Sequence, residues 1–381
     1  MPTATNIEWV PYVWNPITGC PGPKVSEGCT HCYAERMAVT RLRGRMGYDS
    51  TDPFKITYHY GRYDQFLKKR KHTRVFVNSM GDLFHPDVDQ HELDCVFAAM
   101  LCSEITTGPS HEFLILTKRP DIMAEYFAPG PDTLLRRWGK AGDGWLHVGE
   151  GDEYFSEYAE GQTIPQEMTS PRSNLRQDYL WPLPNVWLGV TVCNQAEADA
   201  KIPILLETPA AKRFVSVEPM LGPVDLTAIR QSNNSGDMFS VHSLTGFWHR
   251  ERRRKESYND YITSQSAAQQ RLTALDWVIC GGETGSHARP VNYAWVYKLA
   301  EQCWSAGTPF FFKGWGEWTP AFFQPDGGYR VHRDANIPDG FTAEPHVFAE
   351  NPGIRMYRVG KRHSGRLLNE REWNQIPEVS K

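Results

Sequence analysis

Apolar residues in this chain gather in short, nearly unbroken runs that stop at glycine or polar residues. The runs are RVFVNSM (74–80), EFLILTKR (112–119), NVWLGVTV (185–192), RFVSVEP (213–219), DWVICGGE (276–283) and PFFFKGWGEW (309–318). They are rich in Val, Ile and Phe and lack the alternation of a strand with one wet face. The pattern predicts strands buried on both sides. Helical periodicity lies between most of them. DQHELDCVFAAMLCSE sets Leu93, Val96, Phe97, Met100 and Leu101 on one face, NQAEADAKIPILLET follows NVWLGVTV, and NYAWVYKLAEQCWSAG follows DWVICGGE with Gly307 as its stop. Strand and helix in repeated alternation predict an α/β fold with a parallel sheet. The repeat count favours a (β/α) barrel of the TIM type, complete or partial. A doubly wound open sheet is the alternative.

Two segments interrupt the rhythm. Residues 129–182 are rich in Gly, Pro, Trp and acids, and residues 228–273 are polar and include HRERRRKES. Both read as loop insertions in a single domain covering 1–381.

In either α/β architecture, chemistry gathers beyond the carboxyl ends of the strands. The residues that fall there are Asn78, Ser79 and Asp82, then Lys118 and Arg119, then Asn194, then Glu218, then Gly281, Gly282 and Glu283 with His287 and Arg289, and finally Lys313, Trp315 and Glu317. On this reading they converge on one mouth suited to a charged small molecule, with Lys118, Glu218 and Glu283 as catalytic candidates. The structural alternative pairs Lys118 and Arg119 with Glu218 and Glu283 as plain ion pairs.

Composition narrows the setting. A net charge of −4 gives no global field for nucleic acid. No apolar run is long enough to span a membrane. The first sixteen residues have neither a basic nor an apolar leader region, so a cytoplasmic, reducing location is expected. Eight cysteines in 381 residues are too few for a disulfide scaffold. Three of them nevertheless crowd into WNPITGCPGPKVSEGCTHCYAERMA: Cys20, then Cys29 after eight residues, then Cys32 after two. That is metal-ligand spacing. His31 or a remote residue closes a structural zinc site. In a 4Fe–4S cluster the fourth iron stays open to a substrate or cofactor. A zinc deaminase is disfavoured, because Cys29 follows glycine and not proline, so the P-C-x-x-C half of its signature is missing.

These motifs also resemble a family. EWVPYVWNPITGC…VSEGCTHCYAERMA, VFVNSMGDLFHPDV, LTKRPDIM, SVEPMLGPVDL, DWVICGGETGSHARP, PFFFKGWGEW and GRLLNEREWNQIP are similar, in order, to the bacteriophage and prophage proteins of the three-Cys-motif family. That family is itself similar to radical S-adenosylmethionine enzymes. The resemblance implies a barrel and a 4Fe–4S cluster on Cys20, Cys29 and Cys32. It further implies that the open iron chelates S-adenosylmethionine, whose reductive cleavage yields a 5′-deoxyadenosyl radical. His31 or Tyr33 then lies near the adenine. The first cysteine gap is eight residues where those enzymes usually have three. Their G-G-E element follows the second strand, whereas here Gly281, Gly282 and Glu283 close the much later run DWVICGGE. Ser79 or Asp82 is therefore the candidate for gripping the methionine amino group, with Gly281 and Gly282 turned to substrate.

Of the remaining cysteines, Cys95, Cys102 and Cys303 read as helical core. Cys193 and Cys280 lie near strand ends as buried small residues or hydrogen-atom donors. Thirteen tryptophans and the HRERRRK run raise DNA or RNA as a substrate, with modification or repair as the reaction. Trp181, Trp187 and Trp277 read as core. The expected partners are S-adenosylmethionine, an electron donor and possible nucleic acid. The competing functions are a nucleic-acid-binding barrel with structural zinc and a hydrolase using divalent metal on Asp82, Glu218 and Glu283.

Overall fold

A computed structural model describes residues 3–67, 69, 71–106, 111–142, 181–232, 238–250, 273–338 and 341–378. The fold is mixed α/β with an eight-stranded, mostly parallel sheet. Its strands are β1 (Thr3–Ala4), β2 (Tyr12–Trp14), β3 (Arg74–Val77), β4 (Glu112–Thr117), β5 (Val186–Val192), β6 (Lys212–Val217), β7 (Trp277–Cys280) and β8 (Phe310–Phe312). The helices are α1 (Tyr33–Met37), α2 (Gln90–Thr106), α3 (Pro120–Phe127), α4 (Pro131–Gly142), α5 (Gln195–Glu207) and α6 (Tyr293–Ala306). The six apolar runs supply β3 to β8, and all seven residues of β5 are buried, as a strand covered on both faces requires.

The chain forms two compact units. The first comprises Met1–Pro23, Tyr33–Gly189 and Thr208–Lys212. Within it β2, β3 and β4 run parallel, with Trp14 opposite Val77 and Val77 opposite Ile115. The short β1 pairs antiparallel with β2. Helix α2 is buried around much of its circumference, not on the single face that its periodicity predicts: Cys95, Ala98, Ala99 and Cys102 are as hidden as Phe97 and Met100. Its ring neighbours Trp138 and Tyr126 lie 5.1 Å from Phe97. A carboxylate, Asp94, is buried in this aromatic packing. It accepts hydrogen bonds from the Tyr126 hydroxyl (2.8 Å) and from Arg137 Nε and Nη2 (2.9 and 2.7 Å). A buried charge without such donors is costly. Asp94→Ala is therefore expected to destabilise the first unit by about 3 kcal/mol, read as a lower urea midpoint, with Asp94→Asn losing less.

The second unit comprises Lys24–Cys32, Val190–Glu207 and Arg213–Lys381. Here β6, β7 and β8 run parallel, with Cys280 opposite both Val217 and Phe312. Helix α6 begins where Asn292 caps the Ala294 N–H (2.9 Å) and ends at Gly307 in the left-handed region (φ 70°), the stop that the sequence placed there. Beyond β8 lies a four-stranded antiparallel sheet in the order Tyr329–Val331, Thr319–Phe323, Ile354–Tyr357, His346–Val347.

The two expected insertions contain regular structure. The segment 129–182 begins with α4, and its residues 143–180 lie outside the described residues. The segment 228–273 holds a three-stranded antiparallel sheet of Ile229–Ser232, Met238–His242 and Phe247–Arg250. The basic run 249–255 lies, after its first two residues, outside the described residues.

No closed sheet is found among the described residues, so a complete barrel is not what these strands form. Local pairing explains it in each unit. In the first, antiparallel β1 occupies the outer edge of β2. In the second, residues 373–375 lie antiparallel on β8, through Phe312 N–H to the Trp373 carbonyl (2.8 Å) and Gln375 N–H to the Phe310 carbonyl (3.2 Å). A barrel must join edges that are still unpaired. Among the described residues no helix is long and apolar enough to cross a membrane.

Candidate functional site

In the first unit the polar strand ends are those of β3 and β4, and they hold the first cysteine. Cys20 follows Gly19, whose N–H bonds the Met80 carbonyl (3.0 Å) and whose φ is +94°. A Cβ at position 19 would overlap the Lys55 carbonyl and come within 2.7 Å of the Phe54 carbonyl, so only glycine fits this backbone crossing. The Cys20 N–H bonds the Phe54 carbonyl (3.1 Å). One residue on, the Pro21 carbonyl accepts from His85 Nε2 (2.7 Å). His85 Nδ1 accepts the Asp87 N–H (3.1 Å), so the ring proton sits on Nε2.

The Cys20 thiol faces a cation. Arg119 Nη1 lies 3.4 Å from Cys20 Sγ and 3.2 Å from Asp82 Oδ2. Burial works against the guanidinium charge, but the hydrogen bond to Cys20 and the charge of Asp82 outweigh it and raise the Arg119 pKa. Asp82 also accepts from Thr117 Oγ1 (2.6 Å), the Lys118 N–H (3.1 Å) and the Phe84 N–H (3.1 Å). With its oxygens occupied, Asp82 is placed to aim Arg119 rather than to meet a ligand directly. Ser79 exchanges 3.2 Å hydrogen bonds with the Asn15 amide, and its carbonyl accepts the Tyr33 hydroxyl. Lys118 is half-buried and has no ion-pair partner among the described residues. Asn78 is buried with φ 55°, and among the described residues neither atom of its side-chain amide has a hydrogen-bond partner.

In the second unit the segment carrying Cys29 and Cys32 is fastened at several points. Ser26 caps the turn Glu27–Cys29 and donates to Glu197 (2.9 Å), which also accepts the Glu27 N–H (2.9 Å). Burial raises the Glu197 carboxyl, but Lys201 at 2.7 Å and these donors hold it below its usual value. Asn194, at the end of β5, donates to Glu27 Oε1 (2.9 Å). Gly28 approaches the Cys193 thiol and the Pro219 ring so closely that a Cβ would stand 3.0 Å from each.

His31 Nδ1 lies 3.1 Å from Glu283 Oε1. Arg289 grips the same carboxylate with its N–H (2.8 Å), Nε (2.9 Å) and Nη2 (2.8 Å), and Nη2 also reaches the Glu27 carbonyl (3.2 Å). Burial raises the Glu283 carboxyl, yet Arg289 and then His31 bring it below the ordinary carboxylate range. An ionised carboxylate only accepts, so His31 Nδ1 carries a proton toward Glu283.

The expected plain ion pairs are corrected by the geometry: Arg119 pairs with Asp82, Lys313 with Glu218 (3.0 Å) and Arg289 with Glu283. Gly281 and Gly282 are explained by packing. A Cβ on Gly281 would stand 2.6 Å from Glu218 Oε1, and one on Gly282 would overlap the Trp315 carbonyl. Cys280 is wholly buried with its thiol 3.8 Å from Met220 Sδ, and burial pushes its pKa well above the ordinary thiol value. Cys193 is likewise buried, and Cys95, Cys102 and Cys303 are core residues, as expected. Trp187 and Trp277 are core too. The sequence reading placed Arg119 and Arg289 only as strand-end charges, and it gave His85 and Glu197 no role. Their signal is tertiary: each acts on a cysteine-bearing segment from a distant part of the chain.

Cys20, Cys29 and Cys32 are each half-buried and none is in a disulfide. Among the described residues no three His, Cys, Asp or Glu side chains stand together as a metal site. The Arg119 guanidinium N–H aimed at Cys20 Sγ favours a thiolate at that one position. A family model described as "Protein of unknown function (DUF5131)" matches residues 4–377, and the chain belongs to that family. No curated protein and no solved structure matches the chain.

Proposed function

We propose that this member of the family is an iron–sulfur enzyme similar to the radical S-adenosylmethionine enzymes, acting on nucleic acid. Cys20, Cys29 and Cys32 would hold the 4Fe–4S cluster, on strands read as a partial (β/α) barrel. The observation that carries the proposal is the buried Arg119 guanidinium on Cys20 Sγ, at the head of a Cys-x8-Cys-x2-Cys segment. The similarity of the motifs to the phage three-Cys-motif proteins supports it. When bound, such a cluster supplies the electron that cleaves the sulfonium C–S bond of S-adenosylmethionine.

The protein's own share is positioning. Gly19 and His85 fix the backbone on either side of Cys20. Arg119 lowers the cost of a thiolate at that position, and Asp82 holds Arg119 there. Glu197 and Ser26 hold the segment of Cys29 and Cys32, and Glu283 orients His31 between those cysteines. Lys118 is a half-buried cation suited to an anionic group of cofactor or substrate.

One observation favours a second reading, a zinc site. A metal-bound imidazole usually donates its other N–H to a carboxylate, and His31 does so to Glu283 with Nε2 left over. Anaerobic purification separates the two. The enzyme reading expects brown protein with about four irons, releasing 5′-deoxyadenosine from S-adenosylmethionine. Colourless protein with one tightly held zinc favours the second reading. Asp82→Asn should weaken iron retention against a chelator about 10- to 100-fold, while shifting the urea midpoint less than Asp94→Ala does. Equal retention would show that Asp82 has no hold on the site.

A further inference from the structure

We propose that the surface formed by α1 and the turn after it binds the phosphate backbone of a nucleic acid. Four arginines, Arg36, Arg41, Arg43 and Arg45, lie within ten residues, and all four are exposed. Residues 33–48 hold a single carboxylate, Glu35. Among the described residues none of the four arginines makes an ion pair, so their charge is uncompensated in a chain whose net charge is −4. Exposed apolar and aromatic side chains lie among them: Tyr33, Val39 and Met46, the last 72 % exposed. Arginines for phosphates with aromatic and apolar surface for bases is the composition of a single-strand-tolerant nucleic-acid surface.

The backbone that presents them is irregular yet pinned. α1 passes directly into a π-helical turn, Ala38–Leu42, a geometry that is rare and concentrated at functional sites. Past it the chain turns through Gly44, Met46 and Gly47, all at positive φ. The turn is held by Arg45 N–H to the Leu42 carbonyl (2.8 Å), Tyr48 N–H to the Arg45 carbonyl (2.9 Å) and Arg62 Nη2 to the Met46 carbonyl (2.8 Å). Arg43 is fixed in the same way, through Nε on the Val39 carbonyl and Nη1 on the Ser50 carbonyl. Charges on a preorganised turn lose less entropy on binding a polyanion than charges on a loose loop. This places the contact immediately after Cys32, not on the basic run 249–255. It rests on the enzyme reading only in calling the polyanion a substrate.

The test uses full-length protein and labelled 20-nucleotide single-stranded DNA, duplex DNA and single-stranded RNA in anisotropy titrations across a salt series. The variant is Arg36→Gln/Arg41→Gln/Arg45→Gln, chosen because none of the three makes a side-chain hydrogen bond among the described residues; matched circular dichroism and melting confirm that it folds. Wild type should bind at least one of the probes at low salt. The triple variant should bind at least about tenfold more weakly, with the log–log salt slope reduced by about two to three. Absence of wild-type binding, an unchanged slope in the variant, or binding only to anionic phospholipid vesicles would each overturn the proposal. A Cys29→Ala protein should bind like wild type. Failure of the cluster reading then leaves this result standing, and failure here leaves the iron content untouched.

Discussion

Cys29→Ala is expected to purify colourless, with iron falling from about four per chain to about none, and with no release of 5′-deoxyadenosine. The expectation follows from ligand count. Three thiols already leave one corner of a cluster uncovered, so losing one leaves two anchors, too few to hold it. The same substitution should leave the fold nearly unchanged, because Cys29 is half-buried and its segment is fastened by Glu197, Asn194 and the Ser26 cap, none of which uses the thiol. Metal analysis and a melting curve on one preparation check both halves. Retained iron, or bound zinc unaffected by the change, would remove Cys29 from the ligand set.

Gly19→Ala should cost about 2–5 kcal/mol and lower the urea midpoint of the first unit accordingly. Two penalties combine there. The backbone sits at φ +94°, where a Cβ is strained, and the Cβ would overlap the Lys55 carbonyl. Gly22 offers an internal control. It has φ +84° and, among the described residues, nothing within 4 Å of its would-be Cβ, so Gly22→Ala should show the strain alone, about 1–2 kcal/mol. If the two variants melt together, the crossing of the chain at Gly19 is not what fixes Cys20. If Gly19→Ala folds but loses iron while Gly22→Ala keeps it, the crossing positions the thiol.

The strands were legible in the sequence for a simple reason. β3 to β8 are covered on both faces, and that coverage leaves continuous runs of Val, Ile, Leu and Phe. α2, α5 and α6 were legible from length and, for α6, from the glycine after it. α3 and α4 were not. They are separated by only three residues, and α4 opens a Pro- and Gly-rich stretch that reads as loop. The antiparallel sheet of 319–357 also escaped notice, since its strands are only two to five residues long. In the site, the cysteines, Asp82 and Glu283 were visible because their types and spacing carry chemistry. Their partners were not. Nothing local to Arg119 says that it faces a thiol 99 residues away, and nothing at Arg289 says that it clasps Glu283 and the Glu27 carbonyl. The arginines of 36–45 were passed over because a net charge of −4 averages them away.

The pairing of residues 373–375 with β8 also bears on solubility. Phe310–Phe312 is wholly apolar, and with its outer amides bare it would be a template on which a second copy could add a strand and start a growing stack. Trp373 and Gln375 act as a built-in stopper against self-association, and a purification handle near that end should leave them room to stay seated.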